Sequence, residues 1–339
     1  RHRAADLLGR RVAALLERLG LADQPAALVV HRQQRGGAGR VVARAAVRQR
    51  LIEAVPLTVQ QATLVQVDGA FSIDVNPPAD ALSGRGGLKL ALQPKLAEGL
   101  PGVRDYFARY PFICLEQKTS KAVGLRDGKL WQTVAAQIPT YLDADGLASY
   151  FPPRAEDANR GSDTLTAYVL AATHEAASID PAFALPDAIR APMQQGLINF
   201  VEGKISREFW SPQKDLDVRK LAALEALSRY GVAKGRMTGS ITISPNQWPT
   251  HAVIDWLNIL KRVADVPERD KRLAEATQVL RSRLSFQGTK AVFSTEKDDY
   301  WWWLMVGGDV NTARLILAVM DDPAWKDDMP RLANGFIGR

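Results

Sequence analysis

"YPFICLEQKTSK", residues 110–121, contains the single cysteine of a 339-residue chain, Cys114, followed closely by Glu116 and Gln117. Aromatic residues crowd its upstream side: Tyr106, Phe107, Tyr110 and Phe112. The residue before a proline avoids helical geometry, so Pro111 predicts a break there and a new helix over 114–124. In such a helix Cys114 and Gln117, three apart, lie one turn apart on one face. Thiol and side-chain amide can then meet. A thiolate that attacks the amide carbon and expels ammonia leaves an internal thioester, an activated acyl group open to an amine or a hydroxyl. The bond needs water kept away, which the neighbouring rings can do. A first-turn position would also favour thiolate through free N–H groups and the helix dipole. The same residues equally describe an inert buried cysteine before a polar, helix-favouring stretch.

Downstream of Gly99 the chain reads as helix throughout. Predicted helices are 103–109, 114–124, 128–142, 162–178, 185–204, 213–230, 250–264, 267–284, 310–321 and 329–337. Leu130, Val134 and Ile138 form one apolar face, Leu165, Val169 and Ala172 a second, and Val253, Trp256, Leu257 and Leu260 a third. Pro267 marks a helix start and Gly231 a helix end. Short connectors suit antiparallel neighbours, and no short-period repeat suggests a solenoid. Helix pairs without intervening strands predict an all-α domain of hairpins around a common centre. Upstream, residues 51–95 switch to period two: Val59, Thr63, Val65 and Val67 share a face, and Leu88, Leu90 and Leu92 alternate with Lys89, Ala91 and Gln93. A few strands alone leave open edges, so they must pair elsewhere or cap the helices.

Charge is segregated. Residues 1–50 hold eleven Arg and three acids, a balance of +8, and the remaining 33 basic and 34 acidic residues leave −1. A neutral body with no nucleic-acid motif excludes the chain from the obvious nucleic-acid binders. Its Arg- and Ala-rich leader reads as a helix over 4–20 followed by the loop "QQRGGAGR". No apolar run approaches the ~18 residues of a membrane span. The lack of an initial Met and an end inside a predicted helix suggest a piece of a longer protein, so a missing targeting signal carries little weight. One cysteine excludes an internal disulfide. Metal-ligand spacing, a phosphate loop and a Gly-x-Ser-x-Gly turn are all missing, so no cofactor is expected. The aromatic run "DDYWWWLM" (298–305) reads as core packing before it reads as a stacking platform.

The stretch "YPFICLEQKTSKAVGL" resembles the thioester signature of the alpha-2-macroglobulin and complement superfamily, and its bacterial branch most closely. "NPPADALSGRGGLKLALQPKLAEGLPGVRDYFARYP", "SDTLTAYVLAA" (162–172) and "GGDVNTARLILAVM" (307–320) extend the resemblance over roughly residues 50–339. It implies a mostly α fold: an α/α toroid of helical hairpins over 99–339, truncated at its C-terminal end. Residues 51–98 would belong to a split complement-associated β-sandwich, with 1–50 a basic leader outside the resemblance. It implies that Cys114 and Gln117 form the thioester, with Glu116 between them and Tyr110 and Phe112 as supporting cover. Ile113 stands where many relatives carry Gly. The function implied is a broad-spectrum endopeptidase inhibitor of the periplasm or cell envelope, not a turnover enzyme. Its partners would be target proteases, captured covalently through lysine amines, and other domains of the longer chain, with any membrane anchor lying outside this one. Complement-type members direct the acyl group to hydroxyls with a downstream His. His2, His31, His174 and His251 match no such context, which favours amines. Two alternatives stand: a hydrolase or acyltransferase pairing Cys114 with His174 or His251, and a non-covalent binding module.

Overall fold

The computed structural model describes residues 101–337 apart from 155–159, 243 and 296, together with Val29–His31, Arg44–Ala46 and much of 69–92. The chain divides into two compact units, 1–62 and 63–339. In the first, strands β1 (Val29–His31) and β2 (Arg44–Ala46) pair antiparallel, with Val29 opposite Ala46 and His31 opposite Arg44. The Gly-rich stretch between them in sequence lies outside the described residues. The predicted helix over 4–20 and the alternating stretch 57–67 lie outside the described residues.

The second unit is helical. Its elements are α1 (Pro101–Arg109), α2 (Leu115–Leu125), α3 (Gly128–Gln137), α4 (Asp163–Ile179), α5 (Asp187–Val201), α6 (Leu216–Arg229), α7 (Thr250–Arg262), α8 (Arg269–Arg283), α9 (Asn311–Val319) and α10 (Met329–Ile337). Each falls within a few residues of a helix read from periodicity. The 128–142 segment tightens to a 3-10 turn at Ile138–Tyr141, where Pro139 removes a helical donor.

The packing is layered. Helices α2, α4, α6, α7 and α9 form a row of successive neighbours, backed by α3 on α2, α5 on α4 and α6, α8 on α7 and α10 on α9. Burial follows this order. Helix α7 is buried from Thr250 to Leu260, whereas α8 buries only Ala276 and Leu280. A helix that is apolar on most sides belongs inside and one with a narrow stripe outside. Trp131, Trp325 and Phe200 are the largest fully buried side chains. Each contributes on the order of 1.5–3 kcal/mol through surface removed from water.

One expectation about strands is corrected. Leu284–Gln287 (β3) and Lys290–Phe293 (β4) form an antiparallel hairpin, with Gln287 opposite Lys290 across a two-residue turn. Gly288 opens that turn at φ 59°, where glycine meets no steric penalty. The hairpin packs on α10. Of the alternating stretch 87–93, Leu88, Leu90 and Leu92 are exposed, and the expected strand falls partly outside the described residues.

Candidate functional site

The break at Pro111 and the start of α2 fall where the sequence puts them. Cys114 is the N-cap residue, with extended geometry at φ −66° and ψ 165°, and Gln117 is the third residue of the helix. Backbone donors of a first helical turn lack intrahelical acceptors. Here the pair supplies them reciprocally. The Gln117 N–H points at the Cys114 sulfur, and Gln117 Oε1 accepts the Cys114 N–H at 3.2 Å. This is the geometry of a capping box with cysteine in the place of serine. Its consequence is chemical: the glutamine amide is folded back over the residue that carries the thiol. Ile113 has no positive φ, so its β-branched side chain is accommodated without backbone strain. That side chain points to solvent at 67% exposure.

Cys114 itself is 6% exposed. Burial pushes its thiol pKa up, the negative charge of Glu116 adds to the rise, and a backbone hydrogen bond from Gln117 opposes it. Desolvation thus works against the thiolate that a helix terminus favours.

The upstream rings form a chain. Tyr106 meets Phe107 at 5.5 Å and Tyr110 at 5.3 Å, and Tyr110 meets Phe112 edge-on at 5.3 Å. Helix α1 carries this chain and rests on α2 at Gly124, where a Cβ would come within 2.4 Å of the Phe107 ring. Tyr110 is half-buried; burial raises its pKa and the Gln117 side chain beside it opposes that rise. Phe112 is 59% exposed, so it backs Tyr110 and does not itself enclose the sulfur.

Other residues complete the site, and sequence reasoning missed them. The Leu115 N–H donates to the Tyr150 carbonyl at 2.9 Å, tying the head of α2 to the loop 142–150. The Tyr150 hydroxyl donates to Met305 Sδ at 3.6 Å. Burial pushes its pKa up to about 12, with the charges of Glu116, Cys114 and Asp163 adding to the rise. The loop is fixed by buried ion pairs. Arg207 donates to Asp143 at 2.8 Å and Asp145 at 2.6 Å, and its Nε to the Gly161 carbonyl. Arg219 grips Asp163 through two bonds of 2.9 and 2.5 Å. Glu116 accepts from Ser120 Oγ at 2.6 Å, and that hydroxyl lies 2.6 Å from the Tyr168 hydroxyl. Ser120, four residues after Glu116, was findable from helical spacing. Tyr150 and Met305 carry no local signal that links them to Cys114.

His174 and His251 make ring contacts of their own. His174 packs edge-on against Tyr230 at 4.7 Å, and His251 against Trp301 at 5.7 Å. His174 is half-buried and His251 only 2% exposed. Neither makes a hydrogen bond to Cys114 among the described residues. His31 lies in β1, and His2 is outside the described residues. The tryptophan run is divided. Trp301 and Leu304 are buried, Trp303 is half-buried and donates to Asp215 at 3.0 Å, but Tyr300 and Trp302 are exposed. Core packing describes only part of it. No group of metal-ligating side chains assembles among the described residues, and none of their helices is long and apolar enough to cross a membrane.

No protein-family model matches the chain, and no curated protein matches it. Among solved structures, it is similar to native alpha-2-macroglobulin from Escherichia coli spanning domain MG7 to the C-terminus. That match has 15% identity and a TM-score of 0.52, over 71% of this chain and 39% of the other. The native conformation of the same E. coli protein, determined by cryo-electron microscopy, is similar at 16% identity and a TM-score of 0.49, over 70% of this chain and 16% of that one. The chain thus spans about two fifths of the length of the first. Over the shared part, its fold is that of a bacterial alpha-2-macroglobulin.

Proposed function

We propose that this chain carries the thioester-forming part of a bacterial alpha-2-macroglobulin-like protease trap. The observation that carries the reading is the reciprocal cap, which holds the Gln117 amide against buried Cys114 with Oε1 3.2 Å from the Cys114 nitrogen. The Cys114 sulfur adds to the Gln117 side-chain carbon. A C–S bond forms, the C–N bond breaks, and the thiol proton leaves with the nitrogen as ammonia. Cleavage elsewhere in the full-length protein by a target protease opens the cover. A protease lysine amine then takes the acyl carbon and the thiol is released. Each molecule acts once.

In this reading the helical hairpins of 99–339 belong to an α/α toroid. Residues 51–98 contribute to a β-sandwich completed by other parts of the longer chain, and 1–50 form a leader. The protein works in the periplasm or cell envelope, and any membrane attachment lies outside these residues. Support comes from the fold likeness to the E. coli protein and from the seating of the two signature residues. A turnover cysteine hydrolase is less well served, since the base it needs beside the sulfur is not among the hydrogen-bond partners of Cys114. The test is mass spectrometry of fresh full-length protein. A loss of ~17 Da, followed by a gain of ~31 Da when methylamine is incorporated at Gln117, is the expected chemistry of an activated acyl group. An intact mass with an alkylatable Cys114 refutes it.

A further inference from the structure

Glu116 is out of the ordinary for its surroundings. It is half-buried in the first turn of α2, between the two signature residues. Its negative charge adds to the rise in pKa of Cys114, Tyr110, Tyr150 and Tyr168 around it. No cation pairs with it among the described residues. Lys118, two positions on, is turned away and donates to Gln137 at 3.0 Å and Tyr141 at 2.9 Å. A partly desolvated carboxylate is usually found paired. This one instead has its Oε1 fixed by Ser120, which is itself fixed by Tyr168 on the neighbouring helix α4. A carboxylate held rigidly among phenol rings is a site for an organic ammonium, which the charge attracts and ring faces tolerate.

We infer that Glu116 is the ammonium-recruiting base of the acyl transfer, positioned by Ser120 and Tyr168, and that it sets the preference of the site for cationic amines over neutral nucleophiles. The inference rests on the thioester proposed above. An incoming lysine ammonium docks against Glu116 and gives it one proton. The freed amine attacks the Gln117 acyl carbon, the N–C bond forms, and the C–S bond breaks with its electron pair on sulfur. The nitrogen's second proton passes to that sulfur, and the third stays on the new amide. One ammonium, one carboxylate and one thioester thus become an amide, a carboxylic acid and a thiol. The buried thiol, which prefers its proton, is a suitable final acceptor.

The experiment uses the full-length protein and begins with its mass. If the wild type shows no loss of ammonia, the thioester proposal fails and this inference falls with it. If the wild type is loaded, thiol release is timed with methylamine, a cation at neutral pH, and with hydroxylamine, which is largely neutral there. Proton transfer by a positioned side chain contributes ~10²–10⁴-fold. E116Q is therefore expected to slow methylamine at least about tenfold at pH 7, to leave hydroxylamine nearly unchanged, and to move the methylamine rate to more alkaline pH. S120A and Y168F should shift the ratio of the two rates the same way by a smaller factor, and E116D should restore part of it. If E116Q does not load, the ratio in Y168F and S120A decides. An unchanged ratio, or equal slowing of both nucleophiles, overturns the inference, because a purely structural role would affect both alike.

Discussion

Arg219 reaches across from α6 to clasp Asp163, the first residue of α4, with both side chains almost completely buried. The same guanidinium lies over the rings of Phe209 and Phe200, 4.2 and 5.2 Å from their centroids, and donates to the Arg207 carbonyl. It therefore joins α4, α6 and the segment that fixes the loop bearing Tyr150.

Removing this guanidinium should leave Asp163 charged, buried and unpaired. Arg219→Met is expected to cost about 3–5 kcal/mol of stability, read as a lower midpoint in urea. Arg219→Lys should also lose stability, because an ammonium cannot make the two-pronged contact. A midpoint unchanged in both variants would refute the role.

Gly124→Ala tests how the aromatic cover is seated. The new methyl would collide with the Phe107 ring, and such overpacking costs about 1–3 kcal/mol. Phe107 touches Tyr106, and Tyr106 touches Tyr110, so the displacement should reach the site. Faster water-driven loss of the thioester is the expected result, followed by alkylation of the exposed thiol. A thioester lifetime equal to wild type would disconnect α1 from the shielding.

The released thiol has its own signature. Burial raises the Cys114 pKa, and only thiolate reacts. After methylamine treatment, folded protein should alkylate more slowly at pH 7.5 than the same chain in urea, and the gap should narrow as pH rises. Equal rates at pH 7.5 would mean that the thiol leaves its buried position once freed.

His251 makes stability depend on pH. Burial, and then the charge of Arg314, hold its pKa well below the usual value. Its ring nitrogens have no hydrogen-bond partner among the described residues. The folded protein keeps this imidazole neutral where the unfolded chain is protonated at about 6.5. Its contribution is complete above that pH and is lost as pH falls toward the folded pKa. Asp255, one turn along α7 and bonded to Arg314 at 2.5 Å, acts in the opposite sense. Desolvation, partly offset by Arg314, pushes its pKa up to about 6. The folded state therefore binds that proton first and gains stability between about 6 and the unfolded value near 3.9. In urea titrations from pH 8 to pH 5, His251→Leu should flatten the acid-side loss, and Asp255→Asn should steepen it. If His251→Leu retains the wild-type slope, the histidine is not its source.

The helices were legible because their apolar spacing is regular and their ends are marked. The Leu130–Val134–Ile138 face is buried or half-buried as read, and α6 ends through Gly231 at φ 69°. The hairpin at 284–293 escaped because each strand is four residues long, too short for period two to declare itself against a helical background. Within the site, Cys114 and Gln117 were readable because they are joined by helical geometry alone. Tyr150 and Met305 were not, because tertiary packing brings them in from 36 and 191 residues away.

That distance has a consequence during synthesis. The Leu115–Tyr150–Met305 link cannot close until the ribosome has delivered its last member. At ~5–20 residues per second, the 191 residues from Cys114 to Met305 take roughly 10–40 s. For that interval the growing chain carries its sulfur without this tie between distant segments. The order of residues along the gene therefore sets how long that tie stays open.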